Sequence, residues 1–278
     1  MLHILTFANA TDTKHVDIWS DGTRMSGDIH YPIDFDINHP RPAILMTQGW
    51  GGIRADLNKY FVPKFVRAGF IVLTFDYRGW EDSDSRLVIV GKQPPLNEKS
   101  EININAKAIR EVVDPIDQTR DIISALNYLA GEPGIDISRI GIWGTSYSGG
   151  HVIYVAAQDK RIAAIYSQVG FQGIGLNNRS SLSSKRAIQK ARGEIAPIPV
   201  GIDKIPNLKG SPDFAKMLSY MPIDWANKIL VPTLIVDVDS EELFDRKKNG
   251  KAVYDIIKQN AKAKYKVFPG THYDIYYK

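Results

Sequence analysis

The sequence predicts an α/β fold: a mostly parallel central sheet with helices on both faces, spanning all 278 residues as a single domain. Three observations carry this. Short apolar runs suited to buried strands alternate with segments of helical spacing. One run enters a Gly/Ser turn that opens directly into a helix-like stretch. The composition, 44% hydrophobic and 24% charged, is that of an ordinary globular chain, and the length suffices for a full core.

The elements follow in order. Lys14 to Tyr31 reads as an antiparallel hairpin, alternating through His15-Val16-Asp17-Ile18-Trp19 and turning at Ser20-Asp21-Gly22-Thr23. It supplies an antiparallel edge. Asp34 to Pro42 is a polar loop. Ala43 to Thr47 is a buried strand ending at Gln48-Gly49-Trp50-Gly51-Gly52. Leu57 to Ala68 has helical spacing, with Gly69 as its C-cap. Phe70 to Phe75 is the next strand, and Arg86 to Ile109 is irregular around Pro94-Pro95. Pro115 to Ala130 carries the apolar stripe of a helix, with Pro115 in its first turn. Strands follow at Ile140 to Trp143, Ile162 to Ser167, Pro232 to Val238 and Tyr265 to Phe268, with a helix around Ala252 to Lys258 before the last.

Phe171 to Lys228 breaks the alternation. Structureless loops of that length are rare in compact domains unless functional, so an inserted lid is expected over residues 171–228. Short helices are expected near Ser181 to Ala191 and Asp213 to Tyr220. The aromatic and basic residues Phe171, Arg179, Lys185, Arg186, Phe214, Tyr220 and Trp225 point to a mixed pocket beneath it.

Composition excludes several classes. There is no Cys, hence no disulfide, zinc-thiolate site or thiol nucleophile. The net charge is +4, and Lys and Arg are spread out apart from Arg246-Lys247-Lys248, which argues against a nucleic-acid surface. Met1 to Ala10 has neither the positive region nor the apolar length of a signal peptide, and no apolar run reaches membrane-spanning length. A cytoplasmic protein that binds neither nucleic acid nor membrane is expected. The oligomeric state is open, a homodimer included.

The chemistry centres on Gly144-Thr145-Ser146-Tyr147-Ser148-Gly149-Gly150. Strand, tight turn with a central Ser, then helix is the layout of a nucleophile elbow. The turn strains the Ser backbone and requires small residues two positions to either side. Gly144 meets this requirement, and Ser148 stands where a second Gly is usual. A Ser hydroxyl needs a base within hydrogen-bond reach and an acid to orient that base, in the order Ser, acid, His. Of the six His, only His151 and His272 follow Ser146. His151 lies on the elbow helix and is expected to pack or cap. His272 follows the last strand and is the expected base. Asp237, Asp239, Glu241 and Glu242 crowd the end of the preceding strand. Glu241 is chosen over Asp239, because the apolar pair Leu243-Phe244 is expected to anchor the turn with the carboxylate facing the site. Backbone N–H groups of Tyr147 and Trp50 are the expected oxyanion donors, the latter in a Gly-rich loop that permits close approach.

These segments, with Phe75-Asp76-Tyr77-Arg78-Gly79 and Pro269-Gly270-Thr271-His272-Tyr273, resemble the α/β-hydrolase superfamily over essentially the whole chain. Within it the chain is similar to the dienelactone hydrolase-like and Xaa-Pro dipeptidyl-peptidase-like esterase branch. The resemblance implies Ser146 as nucleophile, His272 as base, and Glu241 where Asp is usual. Two features depart from it. Dienelactone hydrolases proper use a Cys nucleophile, which this chain lacks, and dipeptidyl-peptidase members carry further domains for which it has no room. A single-domain serine esterase acting on a small-molecule ester, without metal or cofactor, is the expectation. A lactonase, a peptidase, a carbon–carbon bond hydrolase, an acyltransferase and a catalytically silent binding fold remain alternatives.

Overall fold

Period-two alternation decides the architecture, because it sends successive side chains of a strand to opposite faces. The computed structural model describes residues 11–173, 179–198, 200–217 and 219–277. Met1 to Ala10, on which the reading of the N-terminus rests, and residues 174–178, 199 and 218 of the expected lid lie outside the described residues.

Strands β1 (Thr11–Ser20) and β2 (Thr23–Pro32) form the expected antiparallel hairpin. β3 (Arg41–Thr47) and β4 (Ile71–Phe75) are parallel, and β2 runs antiparallel to β4. With β8 (Ile135–Thr145), β9 (Ile162–Gln168), β11 (Thr233–Val238) and β12 (Ala263–Phe268) they make an eight-stranded sheet of order β1-β2-β4-β3-β8-β9-β11-β12. From β4 to β12 every pairing is parallel. All those strands therefore end at one edge, where loops from neighbouring crossovers meet.

Two apolar clusters sandwich the sheet. Ala43 and Leu45 of β3 join Ile71, Leu73 and Phe75 of β4 on one face. There they meet α3 (Pro115–Gly131), α4 (Tyr147–Ala156) and α7 (Gly250–Ile257). Ile44, Met46, Val72 and Trp143 point the other way, against α1 (Arg54–Tyr60) and α2 (Val62–Arg67). Asp114 caps α3, its Oδ1 accepting from the N–H groups of Ile116 and Asp117 at 3.0 and 3.1 Å.

Two expectations are corrected. The single helix over Leu57 to Ala68 is two short helices parted at Phe61. Pro63 has no N–H to continue the first helix and instead occupies the first turn of the second. The first helix also starts earlier, at Arg54, whose N–H donates to Asp76 Oδ1 at 2.8 Å. The irregular stretch Arg86 to Ile109 contains an antiparallel pair, β5 (Leu87–Ile89) with β6 (Ala106–Ala108). Neither strand has a fully buried residue, so no burial pattern betrays them.

Residues 171–228 contain α5 (Arg179–Ala191), β10 (Ser211–Pro212), α6 (Phe214–Met217) and a 3₁₀ segment, Pro222–Lys228. β10 pairs in parallel with β7 (Val112–Val113), stitching the excursion to the body. Among the described residues no helix is long and apolar enough to cross a membrane.

A buried ion pair joins the end of β4 to α3. Asp121 accepts from Arg78 Nε at 2.7 Å and from the Arg78 N–H at 3.0 Å. Burial pushes the Asp121 carboxyl up to about 6, against the pull of the guanidinium. Removing one partner strands the other charge in the interior. Asp121→Ala is therefore expected to cost roughly 3–5 kcal/mol in urea unfolding at pH 8; a loss below about 1 kcal/mol would show that Arg78 finds other partners.

Candidate active site

The site assembles where parallel strands end. β8 delivers Ser146, which caps α4 with φ 54° and ψ −122°, a conformation that costs energy outside glycine. Its surroundings enforce it. The Ser146 N–H donates to Gln168 O at the end of β9 (2.8 Å), and the N–H groups of Gly149 and Phe171 donate to Ser146 O at 2.9 and 3.1 Å. A Cβ at position 144 would lie 2.3 Å from Ser148 O, so only glycine fits there. Ser148 is tolerated because its hydroxyl is used: it donates to Gln48 O and accepts from Tyr77 Oη at 2.8 Å.

The loop after β3 lies against the elbow. A Cβ at Gly49 would stand 2.6 Å from Ser146 Cβ, so the chain passes in direct contact with the serine before reaching Trp50. The Trp50 indole donates to Lys209 O at 3.1 Å and packs edge-on against the Tyr147 ring. The Trp50 N–H donates to no acceptor among the described residues.

His272 follows β12 and is buried. Its Nδ1 lies 2.9 and 2.8 Å from Glu241 Oε1 and Oε2, and its Nε2 lies 3.0 Å from Ser146 Oγ. A carboxylate on Nδ1 requires the proton there, which leaves Nε2 to accept from the Ser146 hydroxyl. Sequence reasoning had Glu242 only as a candidate acid and missed its role: its Oε2 accepts the His272 N–H at 2.8 Å and fixes the backbone carrying the imidazole. The other candidate carboxylates serve elsewhere. Asp239 Oδ1 accepts from the Gly270 N–H at 3.0 Å and from Ser240 Oγ at 2.9 Å, holding the turn before His272. The Gly270 N–H and the Ser240 hydroxyl keep its carboxyl below the usual range. Asp237 is buried, accepts from Tyr265 Oη at 2.8 Å, and is pushed up to about 6 by burial.

A cavity of about 870 Å³ opens on Ser146, lined by Trp50, Leu57, Phe171, Leu208, Phe244 and Tyr276 among others. Leu243 and Phe244 line it, in addition to following the turn they were expected to anchor. The excursion contributes Phe171 and Ile205 to Leu208. The other residues read as pocket-forming do other work. Arg186 forms an ion pair with Asp203 (2.6 Å), Trp225 packs on Tyr154, and Phe214 and Tyr220 are buried. The Arg179 side chain lies outside the described residues. Among the described residues no group of three or more His, Asp or Glu side chains is gathered to hold a metal ion.

His151 packs, as its position on α4 suggests. Its Nε2 donates to Gln118 Oε1 at 3.2 Å, its Nδ1 accepts from Tyr220 Oη, and its ring meets Tyr147 edge-on. It thereby joins the elbow helix to the excursion.

Residues 21–193 match the family model described as X-Pro dipeptidyl-peptidase (S15 family). The chain is 31% identical over 269 residues to an uncharacterised 31.7 kDa protein of Escherichia coli from the traX-finO intergenic region, covering 86% of each. It is 36% identical over 130 residues to the quorum-quenching protein AidA of Acinetobacter baumannii, which covers 47% of this chain and 36% of that one. A solved structure of a putative dienelactone hydrolase from Klebsiella pneumoniae superposes with a TM-score of 0.60 at 16% identity, over 96% of this chain and 90% of that one. The sheet and its helices are thus those of the α/β-hydrolase fold.

Burial holds the His151 imidazole neutral, down to about 3. The unfolded chain takes up that proton near pH 6.5 while the native chain refuses it, so stability falls as pH drops from about 6.5 towards 3. Urea unfolding at pH 7.5 and 5.0 is expected to show the wild type losing about 2 kcal/mol more than His151→Gln over this interval. Equal losses would mean that the native imidazole titrates freely.

Proposed function

We propose that this chain, which belongs to the X-Pro dipeptidyl-peptidase (S15) family, cleaves carboxylic esters through an acyl-enzyme. The observation that carries this reading is the His272 imidazole, held by Glu241 at Nδ1 and 3.0 Å from Ser146 Oγ at Nε2. In this reading Ser146 Oγ attacks the acyl carbonyl as its proton passes to Nε2. Glu241 keeps the imidazole oriented and stabilises its cation. The C–O bond to the alcohol breaks, and the imidazolium returns the proton to the leaving oxygen. Water then gives a proton to Nε2 and attacks the acyl carbon; the bond to Ser146 Oγ breaks, the imidazolium returns the proton to Oγ, and the acid leaves.

The oxyanion needs preorganised donors beside Oγ. The N–H groups of Trp50 and Tyr147 are assigned that role. The contact of Gly49 with Ser146 supports the first, and the position of Tyr147 at the start of α4 supports the second. The mainly apolar and aromatic cavity suits an acyl chain or an aromatic ester. Residues 171–228 act as its lid, through Phe171 and Ile205 to Leu208. A peptidase is the second reading. It is favoured by the matched family and by Asp56, Glu242 and Asp245 on the cavity wall, where a peptide amino group would find negative charge.

Ser146→Ala is expected to abolish p-nitrophenyl butyrate hydrolysis while leaving the circular dichroism spectrum unchanged. Glu241→Gln is expected to lower kcat by at least about a hundredfold through loss of the correct imidazole tautomer. Retained turnover in Ser146→Ala would reject the assignment. Faster cleavage of an Xaa-Pro-p-nitroanilide than of any ester would favour the peptidase.

A further inference from the structure

A directed chain of hydrogen bonds ends at Tyr276, beside the candidate nucleophile, and plays no part in the scheme above. It begins at Tyr166 of β9, whose Oη donates to Gln168 Oε1 at 3.2 Å. This fixes the amide, so Gln168 Nε2 donates to Thr145 Oγ1 at 3.1 Å. An amide nitrogen can only donate, so Thr145 Oγ1 accepts there and sends its own proton onward, to Tyr276 Oη at 3.0 Å. The phenol oxygen is thus occupied as an acceptor, and its proton must point elsewhere. Tyr276 lines the same cavity wall as Ser146, and its hydroxyl, held by the neighbouring residue Thr145, faces the Ser146 side chain. Ser146 gives its proton to His272 Nε2, which leaves a lone pair on Oγ facing the phenol. Every donor and acceptor along the path is then assigned in one direction only.

The ring is held in place. Tyr276 ends a 3₁₀ turn, Asp274–Tyr276, with its N–H donating to Tyr273 O at 3.2 Å, and it packs edge-on against Phe61. Burial pushes its phenol well above the usual range, so it keeps its proton at neutral pH.

Resting on the esterase reading, we infer that Tyr276 is a further catalytic residue: its phenolic O–H hydrogen-bonds Ser146 Oγ and stabilises the negative charge this oxygen gathers as it attacks. The phenol keeps its proton throughout, and the Ser146 proton still goes to His272. A hydrogen bond to an oxygen gaining charge is about twice as strong as one to a neutral hydroxyl. The contact therefore favours the transition state over the resting enzyme.

The test uses a fluorophosphonate probe, whose reaction with the enzyme reports attack by Oγ without a later deacylation. Tyr276→Phe keeps the ring and removes only the hydroxyl. It is expected to slow labelling and to lower kcat/KM for p-nitrophenyl butyrate by the same factor, about tenfold. Thr145→Val, which leaves the phenol in place but removes its donor, is expected to give a smaller loss in the same direction. It also keeps the test open should Tyr276→Phe fold poorly. Labelling of Tyr276→Phe at the wild-type rate would overturn the inference, as would a loss seen only in Tyr276→Ala, which would make the residue a packing element. Failure of the wild type to label or to turn over esters would reject Ser146 itself, and this inference with it.

Discussion

The site depends on holding one serine in a backbone conformation it would not choose. Ser146 stays at φ 54° because three backbone hydrogen bonds grip it, from β9, from α4 and from the chain at Phe171. The strain is therefore carried by the sheet edge and not by the turn alone. Gly144 and Gly49 let backbone approach within distances that no side chain would survive. This crowding throws the hydroxyl out over the strand ends, where the loops after β11 and β12 can reach it.

Behind the serine, polar side chains turn packing into direction. Tyr77, Ser148 and Gln48 O connect the end of β4, the elbow helix and the loop before Trp50. Tyr166, Gln168, Thr145 and Tyr276 connect β9, β8 and the C-terminal turn. Each path crosses neighbouring strands, so the loops that carry the site share one rigid frame. The same logic explains Ser148 in place of glycine: at this position the small side chain is also a hydrogen-bonding link.

The excursion between β9 and β11 is fastened at several points. β10 pairs with β7, Lys216 forms an ion pair with Asp114, Lys209 O receives the Trp50 indole, and Tyr220 reaches His151. Only part of it faces the cavity. Its charged residues mostly pair among themselves or with the body, as Arg186 does with Asp203, so the wall it presents to a substrate is mainly apolar.

By itself the sequence determined the sheet and the elbow turn, and singled out Ser146, His272 and a short run of carboxylates as the candidates for the site. Each of these is written as a local pattern: alternation, glycine spacing, or a carboxylate and a histidine just past a strand end. The two-helix break at Phe61 and the pair β5–β6 were hidden, because a proline inside a helical pattern and strands without a buried face leave weak signals. The choice of Glu241 over Asp239 became physical only in three dimensions, where the turn at Gly270 occupies the aspartate and the longer side chain reaches Nδ1. Tyr276 and the part Glu242 plays could not be found from one dimension. Their roles arise from contacts with residues up to 131 positions away or across two loops, and only the packing of the sheet edge brings those atoms within hydrogen-bond length.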